Sequence, residues 1–146
     1  MKQEFYAYLD AISITAEVLH ERIKKIYDFY KGVCKDDITD IMITEYLKED
    51  GSREYESLWF FSEKYCMEAK QFITSDNFDM VAMKNRINYW KVQKQDYDFG
   101  KATERSRLTI YVSLGTLSSL DLKASKENCS QLKNIFLKYI VPNLKE

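Results

Sequence analysis

Proline, glycine and histidine are scarce in this sequence, and each scarcity excludes a class of protein. The 146 residues include one proline, four glycines and one histidine. So few chain breakers argue against flexible linkers and low-complexity tails, and we expect ordered structure throughout a chain of ordinary domain size. The four glycines are scattered, so none belongs to a glycine-rich phosphate loop. The lone histidine, His20, excludes metal sites built on paired histidines, and we expect neither a metal nor another cofactor.

The sequence also lacks an excess of one charge and any long apolar run. It contains 22 Lys and Arg against 23 Asp and Glu. This balance provides no net field that would attract a nucleic acid, so we expect no nucleic-acid partner. No apolar run approaches the roughly 20 residues of a transmembrane helix. Near the amino terminus, Asp10 and Glu17 interrupt the one run that resembles a secretion signal.

Cysteine is present but does not form a disulfide pattern. The three cysteines, Cys34, Cys66 and Cys129, are odd in number and far apart. Such spacing argues against a disulfide framework and favours a reducing compartment. We therefore predict a cytoplasmic protein whose thiols are free and mostly part of the core.

Residues 5–33 repeat apolar side chains at alternating spacings of four and three, which is typical of an amphipathic helix. We predict one long helix here. A straight helix of this length would measure about 43 Å, whereas a compact chain of this size is about 38 Å across. The β-branched residues of "AISIT" offer an alternative, a kink near Ser13 that would let both halves pack on one domain.

The first half of this helix is apolar on more than one side, as is usual for a helix enclosed by protein. Two interpretations remain open. The helix packs on the chain's own sheet, or it mediates a homodimer or the binding of a protein partner. The candidate interaction residues on this surface are Phe5, Leu9, Ile12, Ile14 and Val18.

After residue 36 the pattern changes to short β-type segments separated by turn signals. Asp50 and Gly51 mark a hairpin turn, and Gly115 with Thr116 marks another. The clearest alternation of apolar and polar residues covers residues 108–114. We predict strands over residues 37–47, 54–61, 65–72, 78–83, 87–99, 108–114 and 117–122.

A final amphipathic helix is predicted from Ser125, a suitable N-cap, to the residue before Pro142, which would end it. Such a helix would cover the sheet, because an exposed sheet edge invites pairing with other chains. The apolar face of this helix contains Cys129, Leu132, Phe136, Tyr139 and Ile140.

The last 70 residues resemble the bacterial pleckstrin-homology-like domains. The segment "MKNRINYWKVQ" precedes a polar excursion, and "LTIYVSL", a glycine turn, "LSSLDL" and the helix "KENCSQLKNIFLKYI" follow. The resemblance implies an α+β fold in which two orthogonal antiparallel sheets form a barrel that the carboxy-terminal helix caps. Residues 1–35 would be a helical segment preceding this domain, which would cover residues 36–146. Eukaryotic members usually carry a Trp in the last helix, where this chain has Phe136.

The resemblance also implies candidate ligand sites. Phosphoinositide-binding members carry a cluster of cations on the first hairpin, where this chain offers only Lys48 and Arg53 beside several acids. Two aromatic clusters on the strands, at residues 59–61 and 89–90, either pack under the long helix or line a peptide-binding groove.

No convergent set of acid, base and nucleophile is visible, so we predict that the protein is not an enzyme. We expect a binding or interaction module that contacts a protein partner or a second copy through the amino-terminal helix and the barrel surface. The alternative is an adaptor for lipid headgroups or a membrane surface, with Lys48 and Arg53 contacting the anion. Domains of this kind serve lipids, peptides and proteins, so the fold alone does not decide between them.

Overall fold

A computed structural model describes residues 1–75, 77–115 and 118–144 and shows an α+β fold. The helices are α1 (Gln3–Ala11), α2 (Glu17–Val33) and α3 (Asn128–Ile135), and α3 continues through a π-helical turn (Phe136–Ile140) and a 3-10 turn (Val141–Asn143). The strands are β1 (Asp40–Leu47), β2 (Arg53–Phe61), β3 (Tyr65–Lys70), β4 (Asp79–Lys84), β5 (Ile87–Gln95), β6 (Arg107–Leu114) and β7 (Ser118–Ser125). Seven strands are present at the predicted places, but the strand predicted over residues 87–99 ends at Gln95 and the one predicted from residue 37 begins at Asp40. Thr116 of the predicted last turn and Leu117 of the predicted last strand lie outside the described residues.

The strands form two antiparallel sheets, as predicted. One contains β1, β2, β3 and β4 in that order, and the other contains β5, β6 and β7. Strand β1 runs close to β7, whereas β4 and β5 are edge strands. Ladder hydrogen bonds join the described strands within each sheet and not between the sheets, so the closed barrel is not formed. The resemblance to pleckstrin-homology-like domains stays a prediction.

Strands β1 and β2 contribute to two cores, one on each face of the four-stranded sheet, because successive side chains of a strand point in opposite directions. Strand β4, at the edge, has no buried residue. On β2, Trp59 and Phe61 face a core shared with the three-stranded sheet and α3. Leu58 and Phe60 face a second core beneath α1 and α2. The amino-terminal helices therefore share a core with β1, β2 and β3.

The prediction of a single long amino-terminal helix is wrong, because the helix is interrupted between α1 and α2. Ser13 adopts a left-handed conformation with φ of 70°. Its N–H donates to the Asp10 carbonyl, and the N–H of Ile14 donates to the Leu9 carbonyl at 2.8 Å. This pair of backbone hydrogen bonds is a Schellman motif, which ends a helix and turns the chain. The alternative, a kink near Ser13, is confirmed.

No helix of the described residues has the length and apolarity to cross a membrane.

The carboxy-terminal helix is present with the predicted apolar face. Cys129, Leu132 and Phe136 are all buried in the core between the sheets. The helix does not begin at Ser125, however. Ser125 ends β7 and donates its hydroxyl to Glu45 at 2.7 Å, so it is a strand residue bound to a buried carboxylate.

Candidate functional site

Most of the predicted interaction residues of the amino-terminal region lie in the chain's own core. Phe5, Leu9, Ile12 and Ile14 are buried against the four-stranded sheet. Val18, in the first turn of α2, is 60% exposed. Of these five residues, Val18 alone lies on the surface of the chain.

The cations of the first hairpin do not converge on a free site. Lys48 Nζ lies 2.7 Å from Glu54, and Arg53 Nε lies 2.7 Å from Glu45. A cleft of about 640 Å³ separates this hairpin from the loop between β5 and β6. Four acids and three cations line it: Glu49, Asp50, Asp96 and Glu104 against Lys48, Arg105 and Arg107. This mixed charge does not favour an anionic headgroup.

Arg53 belongs instead to a buried polar network that joins both sheets and two helices. Glu45 is completely buried, and its Oε2 accepts from the Ser125 N–H at 2.9 Å and from Asn128 Nδ2 at 2.8 Å. The Tyr8 hydroxyl donates to Asn128 at 2.6 Å and accepts from the Ile43 N–H. Burial raises the pKa of the Tyr8 hydroxyl. Among the described residues, no buried side-chain nitrogen or oxygen of this network lacks a hydrogen-bond partner, which indicates a structural role.

The thiols are enclosed rather than presented to a substrate. Cys66 and Cys129 are buried, and burial raises the pKa of both thiols to about 12. Both are therefore protonated at neutral pH and are poor nucleophiles. Within residues 1–75, 77–115 and 118–144, no three His, Cys, Asp or Glu side chains are grouped to hold a metal ion.

Strand β5 presents a free edge. Its residues pair with β6 on one side, and on the other side the described chain supplies only a single parallel bridge between Leu144 and Ile87. Residues 89–95 of this edge therefore keep backbone groups available to a further strand. Tyr89 is 61% exposed.

The two faces of β5 differ. Trp90 lies opposite Val112 and Val92 opposite Ile110, so both face the core between the sheets. The Trp90 ring packs edge-on against Phe136 with centroids 4.8 Å apart, yet it remains partly exposed. The other face carries Tyr89 and Lys91. Of the two predicted aromatic clusters, residues 59–61 are buried and residues 89–90 lie at the surface.

The charge on this edge is of one sign. Between residues 86 and 95 the chain carries Arg86, Lys91 and Lys94 and no acid. None of these three cations forms an ion pair with an acidic side chain in the part of the chain that the structure describes. Lys91 Nζ lies 5.3 Å from the centre of the Tyr111 ring on the neighbouring strand.

Comparisons of the chain with family models, with curated proteins and with solved structures found no match. The functional argument therefore rests on the geometry of this chain. Three signals for the β5 edge were visible in the sequence: the Tyr89-Trp90 pair, the lysines and the absence of acids. The sequence did not show that these features lie together on a strand with one free edge.

Proposed function

We propose that this protein is a non-enzymatic binding module that takes an extended, acidic segment of another protein as an added strand along β5. The observation that carries the proposal is the free edge of β5 over residues 89–95, with exposed aromatic rings and unpaired cations beside it. Strand addition at a sheet edge is a known mode of peptide recognition, in which main-chain hydrogen bonds supply affinity and alternate side-chain contacts supply specificity.

The faces of β5 define the sequence such a segment needs. Cross-strand neighbours on the same face lie about 5 Å apart, so each residue of the added strand meets one residue of β5. Positions opposite Trp90 and Val92 favour apolar side chains, because both residues border the core. The position opposite Lys91 favours Asp or Glu. The partner segment therefore alternates apolar and acidic residues.

The same charges argue against pairing of β5 with β5 of a second copy. In a symmetric antiparallel pair, Lys91 of one copy would share a face of the joined sheet with Lys91 of the other, and Lys94 would share the opposite face with Lys94 of the other. Like charges across a strand pair are destabilising, and the strand contains no acid to offset them in any register. An acidic segment of a different protein removes this repulsion.

Synthetic peptides test the proposal directly. A nine-residue peptide of alternating Val and Glu should bind the full chain and shift the amide resonances of residues 89–95, whereas a Val and Lys peptide should not. Methylating every second amide of the Val and Glu peptide gives two further probes. One set of methyl groups should abolish binding and the other should preserve it, because alternate amides of an added strand face β5.

Charge variants provide the second half of the test. Lys91→Glu should weaken the binding of the Val and Glu peptide by about tenfold. Lys94 lies on the face that meets Val, so Lys94→Glu should weaken binding less. Lys101→Glu, an exposed lysine of the β5–β6 loop, should leave it unchanged. Edge lysines also protect free strands from aggregation. If that is their whole role, neither peptide will bind and the proposal fails.

A further inference from the structure

A second basic surface lies at the opposite end of the four-stranded sheet from the first hairpin. Lys64 in the turn between β2 and β3, Lys84 at the end of β4, and Arg86 between β4 and β5 line a pocket of about 430 Å³. The remaining lining residues are Glu63, Tyr65, Asn85 and Asn143. Strand β2 separates this pocket from Arg53, since Arg53 begins the strand and the pocket lies beyond its far end.

Hydrogen bonds from several segments fix the backbone of the pocket. Asn85 is buried; its N–H donates to the Lys64 carbonyl at 2.7 Å, and its side-chain amide donates to the Ser62 carbonyl at 3.0 Å. The Gly115 N–H donates to the Arg86 carbonyl at 3.3 Å. Asn143 is held by a bond of 2.7 Å to the Tyr139 carbonyl. The cations therefore extend from a preorganised frame, which lowers the entropy cost of binding a ligand.

The lining of the pocket carries more positive than negative charge. Lys64, Lys84 and Arg86 form no ion pair with any acid among the described residues, and Glu63 is the single acid in the lining. Three cations and one acid leave a net charge of two positive units. Cations gathered around one cavity repel each other, so an anion that enters it relieves this repulsion.

We propose that this pocket binds the phosphoryl group of a soluble phosphate monoester. A phosphate monoester carries nearly two negative charges at neutral pH and three strong acceptor oxygens, which matches the net charge of the lining. The guanidinium of Arg86 suits two of these oxygens at once, and the ammonium groups of Lys64 and Lys84 act as point charges. The volume lies within the range of small-molecule sites, which leaves room for the organic part of the ligand.

This site is independent of the peptide edge proposed above. The pocket contains no residue of β5, and the residues opposite the added strand, Trp90, Lys91 and Val92, do not line it. Failure of one proposal therefore does not imply failure of the other. Arg86 also lies next to the β5 edge, so Lys64→Gln and Lys84→Gln are the pocket variants expected to leave binding of the Val and Glu peptide intact.

The experiment is a titration of the full chain with phenyl phosphate and with benzoate at pH 7 and low ionic strength, followed by amide resonances. Phenyl phosphate should shift residues 84–87 and bind at least about tenfold more tightly than benzoate, which carries one charge. Lys64→Gln, Lys84→Gln and Arg86→Gln should each weaken binding about five- to tenfold. The matched control Lys101→Gln should bind as the wild type does.

Further measurements distinguish a soluble phosphate from a lipid headgroup and check that the variants are folded. Arg86→Lys keeps the positive charge but loses the planar guanidinium that binds two oxygens at once, so it should recover part of the affinity lost in Arg86→Gln. Urea unfolding of each variant shows that the fold is retained, as expected for exposed side chains. Vesicles of phosphatidylcholine with phosphatidate should not sediment the protein at physiological ionic strength. Binding to vesicles alone, no binding of phenyl phosphate, or binding that all three Gln variants retain would overturn the proposal.

Discussion

Arg53 and Glu45 form an ion pair in which the carboxylate is completely buried. Arg53 Nε lies 2.7 Å from Glu45 Oε1 on the neighbouring strand. The same guanidinium donates to the Ser125 carbonyl at 2.9 Å and to Glu127. One arginine thus links the first hairpin to the end of β7 and the start of α3, where the two sheets meet.

Removal of Arg53 should strongly destabilise the fold. Arg53→Met would leave Glu45 charged and buried without its cation, and breaking a buried pair in this way costs about 3–5 kcal/mol. We expect this loss in the free energy of unfolding measured with urea. The double variant Glu45→Gln with Arg53→Met should recover part of the loss, because the buried charge is then absent.

Lys48→Met is the matched control for this experiment. Lys48 pairs with Glu54 on the same hairpin at the same distance of 2.7 Å, but both side chains are about half exposed. Exposed pairs contribute less than about 1 kcal/mol. Equal losses in Lys48→Met and Arg53→Met would contradict the structural role of the network.

Substitutions of Ile12 and Val18 test whether the amino-terminal helices belong to the core of the chain or form an interface between copies. Ile12 is buried beneath α1 and α2, so Ile12→Asp should unfold the protein, whereas Val18→Asp should change neither its stability nor its solution mass. Circular dichroism and light scattering over a range of concentrations measure both properties. A wild-type dimer that Ile12→Asp converts to a folded monomer would show that this region is an interface instead.

The strands could be predicted from sequence because local alternation and turn residues determine them. Residues 108–114 alternate cleanly and form β6, and Gly51 has the positive φ that its turn requires. The carboxy-terminal helix was equally clear, since its apolar face recurs with helical spacing. These features depend on neighbours a few residues apart.

The helix break and the polar network depend on contacts that local patterns do not contain. Ile12 and Ile14 are both buried on either side of Ser13, so the apolar spacing continues through the break and predicts a continuous helix. The partners of Glu45 are 80 and 83 residues away at Ser125 and Asn128. Arg53 therefore looked like a surface cation in the sequence, although it binds a buried acid.

Ser13→Gly should stabilise the protein. Ser13 follows the end of α1 in the left-handed region, where a Cβ atom costs roughly 1 kcal/mol and glycine is the favoured residue. We expect a gain of about 0.5–1 kcal/mol in the free energy of unfolding. Ser13→Ala keeps the Cβ atom and should show no gain. A Gly variant no more stable than the Ala variant would contradict the Schellman geometry at this position.

Because two thiols are buried, we predict that the free energy of unfolding decreases at alkaline pH. Burial raises the pKa of Cys66 and Cys129 from a usual value of about 9 to about 12. Above pH 9 the unfolded chain therefore releases thiol protons that the folded chain keeps, which favours unfolding. The contribution of the thiols is complete below pH 9 and decreases as pH rises towards 12, by up to about 1.4 kcal/mol per pH unit for each thiol.

The double variant Cys66→Ala with Cys129→Ala isolates this contribution. It should be less stable than the wild type at pH 7, because two buried sulfur atoms are lost. Its free energy of unfolding should fall less steeply between pH 9 and pH 11, so the two stability curves converge as pH rises. Tyrosines contribute to both curves, and their effect cancels in the difference. Parallel curves over this range would show that the two thiols ionise in the folded protein as readily as in the unfolded chain.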